Sequence, residues 1–389
     1  MNILVYGGWF GSGNLGDEAI LQGVKQIIQR KLPEANLTAL SINPEYTYEQ
    51  TGVRGEKIES PRTLLKNRDR YLKLFKRADA HLLTGGTPFY DYGHLSRIVH
   101  LGLPALSTRK VYCFGVGSKP ITTLKGRQIT RMLLKNTAII STRDSISKQI
   151  LQPLSGKLAK PITVTGDSAL MLDPVKSQKE QGHILFCTRR LTENHKILFH
   201  QEVDRATINR VRHMQAIAAD RLIRDGYRIS FMPFHCNAPD DDREEIRIIR
   251  NLMRSEADLL PRPEGISEAL EIMGTSTLVV GLRLHSLILA SLQGIPFITV
   301  DYDIKISGFM DRMNAPEYIS DTSYGLDTLY VNAKQALSNQ HQYSKHINKR
   351  VSHLRSLINS EADNLVQALI QRINENRKPE RLQLGRLSR

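Results

Sequence analysis

Two stretches of the chain hold residue types that can do chemistry. Residues 281–290 read GLRLHSLILA, with Arg283 and His285 two apart where a buried run ends. A guanidinium grips phosphate or carboxylate through paired hydrogen bonds, and an imidazole passes protons near neutral pH. Alternate residues of an extended segment point to one side. The helix predicted over 286–292 would add its N-terminal dipole, with Ser286 opening it. The next apolar run ends at Asp301-Tyr302-Asp303, and Lys305 follows two residues on. These residues predict an anion site of Arg283, Ser286 and Lys305, with His285 set for proton transfer. CTRRL (187–191) brings Arg189 and Arg190 off another apolar run. They read either as a second anion contact or as surface basicity.

The other stretch is GGWFGSGNLGDE (7–18). A glycine-rich loop between strand and helix usually cradles phosphate on backbone N–H groups. Here Asp17 and Glu18 oppose an anion, and the spacing departs from GxGxxG. A tight turn with Asp17 capping the helix accounts for the residues. So does a polyhydroxyl ligand, because carboxylates accept from sugar hydroxyls and free N–H groups donate to them. On that second reading Gly13, Asn14, Gly16 and Asp17 form an acceptor site. LLTGGTPFYDYG (82–93) offers Gly85, Gly86 and Thr87 at a strand end, then Tyr90 and Asp91, a ring and a carboxylate suited to a sugar. An ordinary turn with core aromatics fits it equally.

STRDSIS (141–147) and TGDSAL (165–170) place Arg143, Asp144 and Asp167 at strand ends, where scaffolding explains them as well as catalysis does. His235 with Asp240, Asp241 and Asp242 matches no closed ligand set, and an acidic helix start explains it. Cys113, Cys187 and Cys236 are isolated in sequence, so neither a disulfide nor a metal is expected.

These residues need a frame. Apolar runs at 3–7, 37–42, 80–85, 111–117, 138–142 and 162–166 alternate with helical patterns at 17–30, 92–106 and 124–134. Non-alternating apolar strands separated by helices argue a parallel sheet covered on both faces. A polar linker, KSQKEQG (176–182), interrupts the rhythm. Strands then recur at 183–188, 229–234, 277–282 and 296–302, between helices around 202–225, 240–254, 266–273 and 285–293. The fold class is therefore α/β, with two doubly wound Rossmann-like domains facing a cleft. The expected domains are 1–175 and 183–374. A long helix over 344–373 closes the second, and a flexible basic tail follows over 375–389.

Hydrophobic residues make up 40% of the 389 and charged residues 24%, with a net charge of +15. That surplus favours anionic partners. Aromatics total 6% and do not interleave with basic runs, so nucleic acid is not expected. No run reaches the roughly 18 apolar residues of a membrane span, and no signal peptide is read at the start. A cytoplasmic protein is expected, with peripheral contact at the inner membrane face suggested by the basic surplus and tail.

In this order over about residues 3–315, GNLGDEAI (13–20), LLTGGTPFYD (82–91), STRDSIS, TGDSAL, GLRLHSLILA and YDIKISGF (302–309) resemble the polysaccharide pyruvyltransferase family. The resemblance implies a fold similar to GT-B glycosyltransferases. It also implies transfer of an enolpyruvyl unit from phosphoenolpyruvate to a sugar of a cell-surface or extracellular polysaccharide, or its lipid-linked precursor, as a cyclic ketal. Arg283 and His285 match the family's Arg-Leu-His positions, which bind phosphoenolpyruvate and supply the general acid. Arg189 and Arg190 compete for a further family arginine. Gly85-Gly86-Thr87 departs from the three glycines of many members. Phosphoenolpyruvate carries a phosphate and a carboxylate and so needs two cationic sites: Arg283 with a helix start, and Arg189 or Arg190 with Lys305. Asp17 would orient or deprotonate a sugar hydroxyl. No cofactor is implied. The alternatives are a GT-B glycosyltransferase using a nucleotide sugar, with Asp301 or Asp303 at its ribose, or a basic anion- or nucleic-acid-binding protein without catalysis.

Overall fold

A computed structural model describes residues 1–58, 63, 66–91, 111–156, 161–191 and 203–384, with side chains through 371. The first unit runs β1 (Asn2–Tyr6), α1 (Leu15–Lys31), β2 (Asn36–Ser41), α2 (Pro44–Thr51), β3 (Arg54–Lys57), α3 (Arg68–Arg77), β4 (Ala80–Leu83), β5 (Val111–Val116), α4 (Leu124–Lys135), β6 (Thr137–Thr142), α5 (Ser145–Ser155) and β7 (Thr163–Val164). Its strands lie parallel in the order β3-β2-β1-β4-β5-β6-β7. The helix expected over 92–106 lies outside the described residues.

The second unit runs β8 (His183–Cys187), α6 (Arg205–Arg224), β9 (Arg228–Phe231), α7 (Asp242–Leu252), β10 (Asp258–Leu259), α8 (Ile266–Thr275), β11 (Leu278–Gly281), α9 (Leu284–Leu292), β12 (Phe297–Asp301), α10 (Ile304–Met313), β13 (Ile319–Asp321), α11 (Thr328–Ser338) and α12 (Gln340–Leu384). Its sheet order is β10-β9-β8-β11-β12-β13, again parallel. Strands such as AHLL and VYCFGV are buried throughout because helices cover both faces, which is why they show no polar alternation. The edge strands β3, β10 and β13 were not expected. They are short, and Arg54, Lys57, Asp258 and Leu259 face solvent, so they lack the apolar signature of central strands.

Each sheet reverses direction once. The chain leaves β1 toward β2 and β3, then returns to the other side of β1 as β4. In the second sheet β8 is flanked in the same way by β9 and β11. Ligands of doubly wound sheets bind beyond the carboxyl ends of strands at such reversals. The loops after β1, β4, β8 and β11 are those that carry Asn14, Gly86, Arg189 and Arg283.

The C-terminal helix departs from the expected boundaries. α12 is one helix from Gln340 to Leu384, so residues 375–384 continue it, and only 385–389 of the expected tail lie outside the described residues. Its buried stripe Leu354, Ile358, Ala362, Leu365 and Leu369 follows the spacing of a helix face. That stripe packs back on the first unit. Arg355 Nε donates to the Leu170 carbonyl at 2.7 Å, and Thr163 Oγ1 donates to Glu361 Oε1 at 3.0 Å. A helical period shows that a face is buried but not against which sheet, so the boundary at 374 did not anticipate this crossing. One apolar cluster consequently joins both units, from Ile3 and Val5 through Phe186 and Phe231 to Ile358 and Leu365. Cys113 and Cys187 are buried, and all three cysteines are free thiols. Among the described residues no helix is long and apolar enough to cross a membrane.

Candidate functional site

The loop after β1 is shaped by hydrogen bonds among its own residues. Asn14, not Asp17, is the N-cap of α1: its side-chain oxygen accepts from the Gly16 amide at 3.1 Å. Asp17 stands in the first turn, where the helix dipole favours a carboxylate. It accepts from Asn14 Nδ2 at 2.7 Å and from the Trp9 amide at 3.2 Å. Glu18 turns the other way and takes the Gly11 amide at 2.6 Å. Gly13 adopts φ +85°, and its carbonyl accepts from Arg262 Nε of the second unit at 3.2 Å. At Gly16 a Cβ would stand 2.1 Å from His285 Nδ1, so only glycine lets the two units approach there.

Beyond β4, Gly85 adopts φ +109° against the Gly8 backbone, and the turn presents Gly86, Thr87 and Tyr90 to a cavity. Asp91 is not presented. Its carboxylate accepts the amides and hydroxyls of Thr122 and Thr123 at 2.6–3.1 Å. Burial pushes this carboxyl up, but those hydrogen bonds outweigh it and hold the group below its ordinary range.

In the second unit the local geometry differs from the expected one. Helix α9 starts at Leu284 with Arg283 as N-cap, so Arg283 and His285 sit on a helix start rather than on an extended segment. Arg283 Nε lies 3.1 Å from both oxygens of Asp242, and Nη1 lies 3.0 Å from Asp240 Oδ2. Burial disfavours its charge, yet Asp240 and Asp242 more than restore it. Ser286 is withdrawn from the cavity: its hydroxyl is fully buried and donates to the Arg283 carbonyl at 2.6 Å.

The structure separates the two competing arginines. Arg189 is buried in the cavity wall, with Nη2 3.9 Å from Asp240 Oδ2. Arg190 pairs with Glu244 at the surface and donates to the Pro239 carbonyl at 3.3 Å. Lys305 also lines the cavity. Its ammonium is 3.7 Å from Asp303 Oδ2, which Lys119 of the first unit reaches at 2.8 Å. Burial, with Arg189 nearby, pushes the Lys305 ammonium well below its ordinary range. Asp303 is held below the carboxylate range because Lys305 and Lys119 outweigh its burial.

His285 projects between the units. Its Nε2 stands 3.6 Å from Asp167 Oδ2, and Arg143 Nη1 stands 3.7 Å from the same oxygen. Burial opposes ionisation of Asp167, but His285 and Arg143 keep its carboxyl below the ordinary value. These parts enclose a cavity of about 100 Å³ in which Trp9, Asn14, Asp17 and Tyr90 face Arg143, Arg189, Arg283, His285 and Lys305. Such a chamber can hold a small molecule with two anionic groups, and it offers an imidazole, His285, and a carboxylate, Asp17. Of the sequence-derived residues, Asn14, Asp17, Gly86, Thr87, Tyr90, Arg189, Arg283, His285 and Lys305 meet there. Gly13, Gly16 and Gly85 shape the walls from behind, while Asp91, Arg190 and Ser286 stand apart. Arg143, Asp240 and Trp9 also line it without having been assigned to the site. Their shared signal is position, since Trp9 follows β1, Arg143 follows β6 and Asp240 precedes α7. Among the described residues no group of His, Cys, Asp and Glu could hold a metal ion.

Comparison with known proteins bears on this arrangement. A family model described as polysaccharide pyruvyl transferase matches residues 14–304. The fold resembles UDP-GlcNAc 2-epimerase from Neisseria meningitidis bound to UDP-GlcNAc, with TM-score 0.59, 12% identity, and 95% of this chain and 100% of that chain covered. A glycosyltransferase from Rickettsia africae matches with TM-score 0.59 and 12% identity over 95% of this chain and 98% of that one. S. aureus MnaA in its co-structure with UDP gives 0.60 and 10% over 96% and 98%. At these identities the likeness shows the fold alone, two Rossmann-like units in the GT-B arrangement.

Proposed function

The chain belongs to the polysaccharide pyruvyl transferase family, and from that premise we propose that it moves the enolpyruvyl unit of phosphoenolpyruvate onto two hydroxyls of a sugar. The product is a pyruvate ketal on a cell-envelope or extracellular polysaccharide or its lipid-linked precursor. The observation that carries this reading is the concentration of Arg143, Arg189, Arg283 and Lys305 around one imidazole in a single cavity between the units. A phosphate and a carboxylate on a three-carbon unit are matched by cations on several sides, and low dielectric strengthens each contact.

In this reaction His285, as imidazolium, gives its proton to the methylene carbon, and the double-bond pair forms the new C–H bond. C2 becomes electrophilic, and the first sugar hydroxyl attacks it while its proton returns to the imidazole. The C–O bond to phosphate then breaks, with the pair leaving on phosphate beside Arg283 and Arg189. The second hydroxyl closes the ring, and its proton departs with the phosphate. Asp17, which lines the same cavity on the first unit's side, orients the attacking hydroxyl.

The test is incubation with a diol sugar acceptor and either phosphoenolpyruvate or nucleotide sugars. Inorganic phosphate release with a ketal product is expected. Nucleoside diphosphate release instead would establish the glycosyltransferase reading. His285→Ala should still bind phosphoenolpyruvate, seen as a thermal shift, while forming no ketal; normal turnover would overturn its role. The net charge of +15 further supports peripheral contact with anionic lipid on the cytoplasmic side. Sedimentation with anionic vesicles that weakens as salt rises is expected, and absence of binding would count against it.

A further inference from the structure

Proton transfer by His285 needs one working ring nitrogen and a partner that holds the ring. Two buried polar atoms without hydrogen-bond partners answer this. They are His285 Nε2 and Asp167 Oδ2, and they face one another at 3.6 Å. An unpaired polar atom in a protein interior is costly, and catalytic hydrogen bonds are often long in the ligand-free state and tighten when substrate binds. The other Asp167 oxygen is fixed, since Oδ1 accepts the Ala169 amide at 3.0 Å. Asp167 sits 4% exposed and His285's side chain 12% exposed, so solvent does not compete for Nε2. On the far side of the ring, Nδ1 lies where a Cβ on Gly16 would be, 2.1 Å away.

We infer that Asp167 is the positioning residue for His285, accepting its Nε2–H and so leaving Nδ1, opposite Gly16, as the nitrogen that exchanges the proton with substrate. The inference rests on the transferase reading for what the proton does, but its geometry stands without it. A carboxylate behind an imidazole selects one tautomer and stabilises the imidazolium. Burial opposes the Asp167 charge, but His285 and then Arg143 from the end of β6 hold its carboxyl below the ordinary value, so one guanidinium lines the anion chamber and also stands beside the histidine's partner. The glycine at position 16 acquires a second task. It shapes the turn into α1, and its missing Cβ lets the His285 ring pack against that turn with Nδ1 at the first unit. The nitrogen is thereby placed beside Asn14 and Asp17, where the first unit would present the sugar.

The experiment reads the tautomer directly. Nitrogen-15 NMR of the selectively labelled, ligand-free protein should show neutral His285 protonated on Nε2, with the opposite tautomer or a mixture appearing in Asp167→Asn. A wild-type His285 protonated on Nδ1 would overturn the inference. In phosphate-release kinetics, Asp167→Asn should lower kcat by about 100-fold or more, as expected for loss of the correct tautomer, and leave the KM for phosphoenolpyruvate within about twofold. A KM effect without a kcat effect would mean that Asp167 only builds the anion site. Gly16→Ala should likewise keep the phosphoenolpyruvate thermal shift and lose turnover; wild-type turnover would return Gly16 to a purely backbone role. If the wild type releases no phosphate from phosphoenolpyruvate, the transferase reading fails and the NMR result alone judges the positioning role.

Discussion

Arg283 Nη2 donates to Asp242 Oδ1 at 2.5 Å, and Asp242 has no exposed side-chain surface. The same carboxylate accepts the amides of Phe234 and His235 at 3.0 Å each. The carboxylate is thus fixed to the backbone after β9 and in turn fixes the guanidinium at the start of α9. Arg283 meets the cavity already oriented, and this lowers the cost of ordering it when an anion arrives.

Because the pair is buried, losing one partner strands the other. Asp242→Ala should lower the unfolding free energy by about 3–5 kcal/mol, read from guanidinium chloride midpoints. Arg283→Lys should keep the charge, lose the fork, and raise the KM for phosphoenolpyruvate more than tenfold, on the order of the 1.5–3 kcal/mol of a charged hydrogen bond. An unchanged midpoint for Asp242→Ala would show that other groups anchor the guanidinium.

Arg189 and Arg190 are neighbours in sequence with opposite environments. The Arg189 side chain is 6% exposed in the cavity wall, and that of Arg190 is 31% exposed against Glu244. Steady-state phosphate release should show Arg189→Ala raising the KM for phosphoenolpyruvate at least tenfold. Arg190→Ala should change neither KM nor stability beyond about 1 kcal/mol, as for surface pairs. The reverse ranking would assign the donor to the outer arginine.

The parts of the site legible in the sequence were those declared within one turn of a strand end. Arg283, His285 and Lys305 each follow an apolar run that could only be a central strand, so their edge of the sheet was fixed by topology alone. Asp91 and Ser286 looked similar because they sit beside true lining residues, yet a single step along a turn or helix start sends a side chain to the opposite side. Asp167 also follows a strand end, but nothing local told a catalytic role from scaffolding there. It lies more than a hundred positions from His285, and the packing of α1, α9 and α12 on the turn at Ser168–Met171 brings the two together. The same distance hid α12's return to the first sheet, since periodicity is a property of one helix and contact is a property of two elements. The edge strands β3, β10 and β13 were missed for a different reason: a strand paired on one side needs few apolar residues.

Glu18 offers a test of the loop after β1 that is independent of substrate. It is fully buried, one oxygen accepts the Gly11 amide at 2.6 Å, and the other has no hydrogen-bond partner. Burial pushes its carboxyl from 4.5 up to about 8, with the Asp17 charge adding to the effect and the Gly11 amide and Arg262 opposing it. The unfolded chain releases this proton near 4.5, whereas the folded chain keeps it until about 8. Between those values the native state binds more protons than the unfolded state, so stability falls as pH rises, by up to about 1.4 kcal/mol per pH unit. Below the lower value the contribution is fully present, and above the upper one it is lost. Glu18→Gln keeps the shape without the titration. Its stability relative to wild type should therefore climb steadily from pH 5 to pH 8 and level off beyond. Denaturant midpoints of the two proteins, measured side by side across that range, should diverge; parallel curves would mean that Glu18 is already ionised in the fold and that the loop carries its charge.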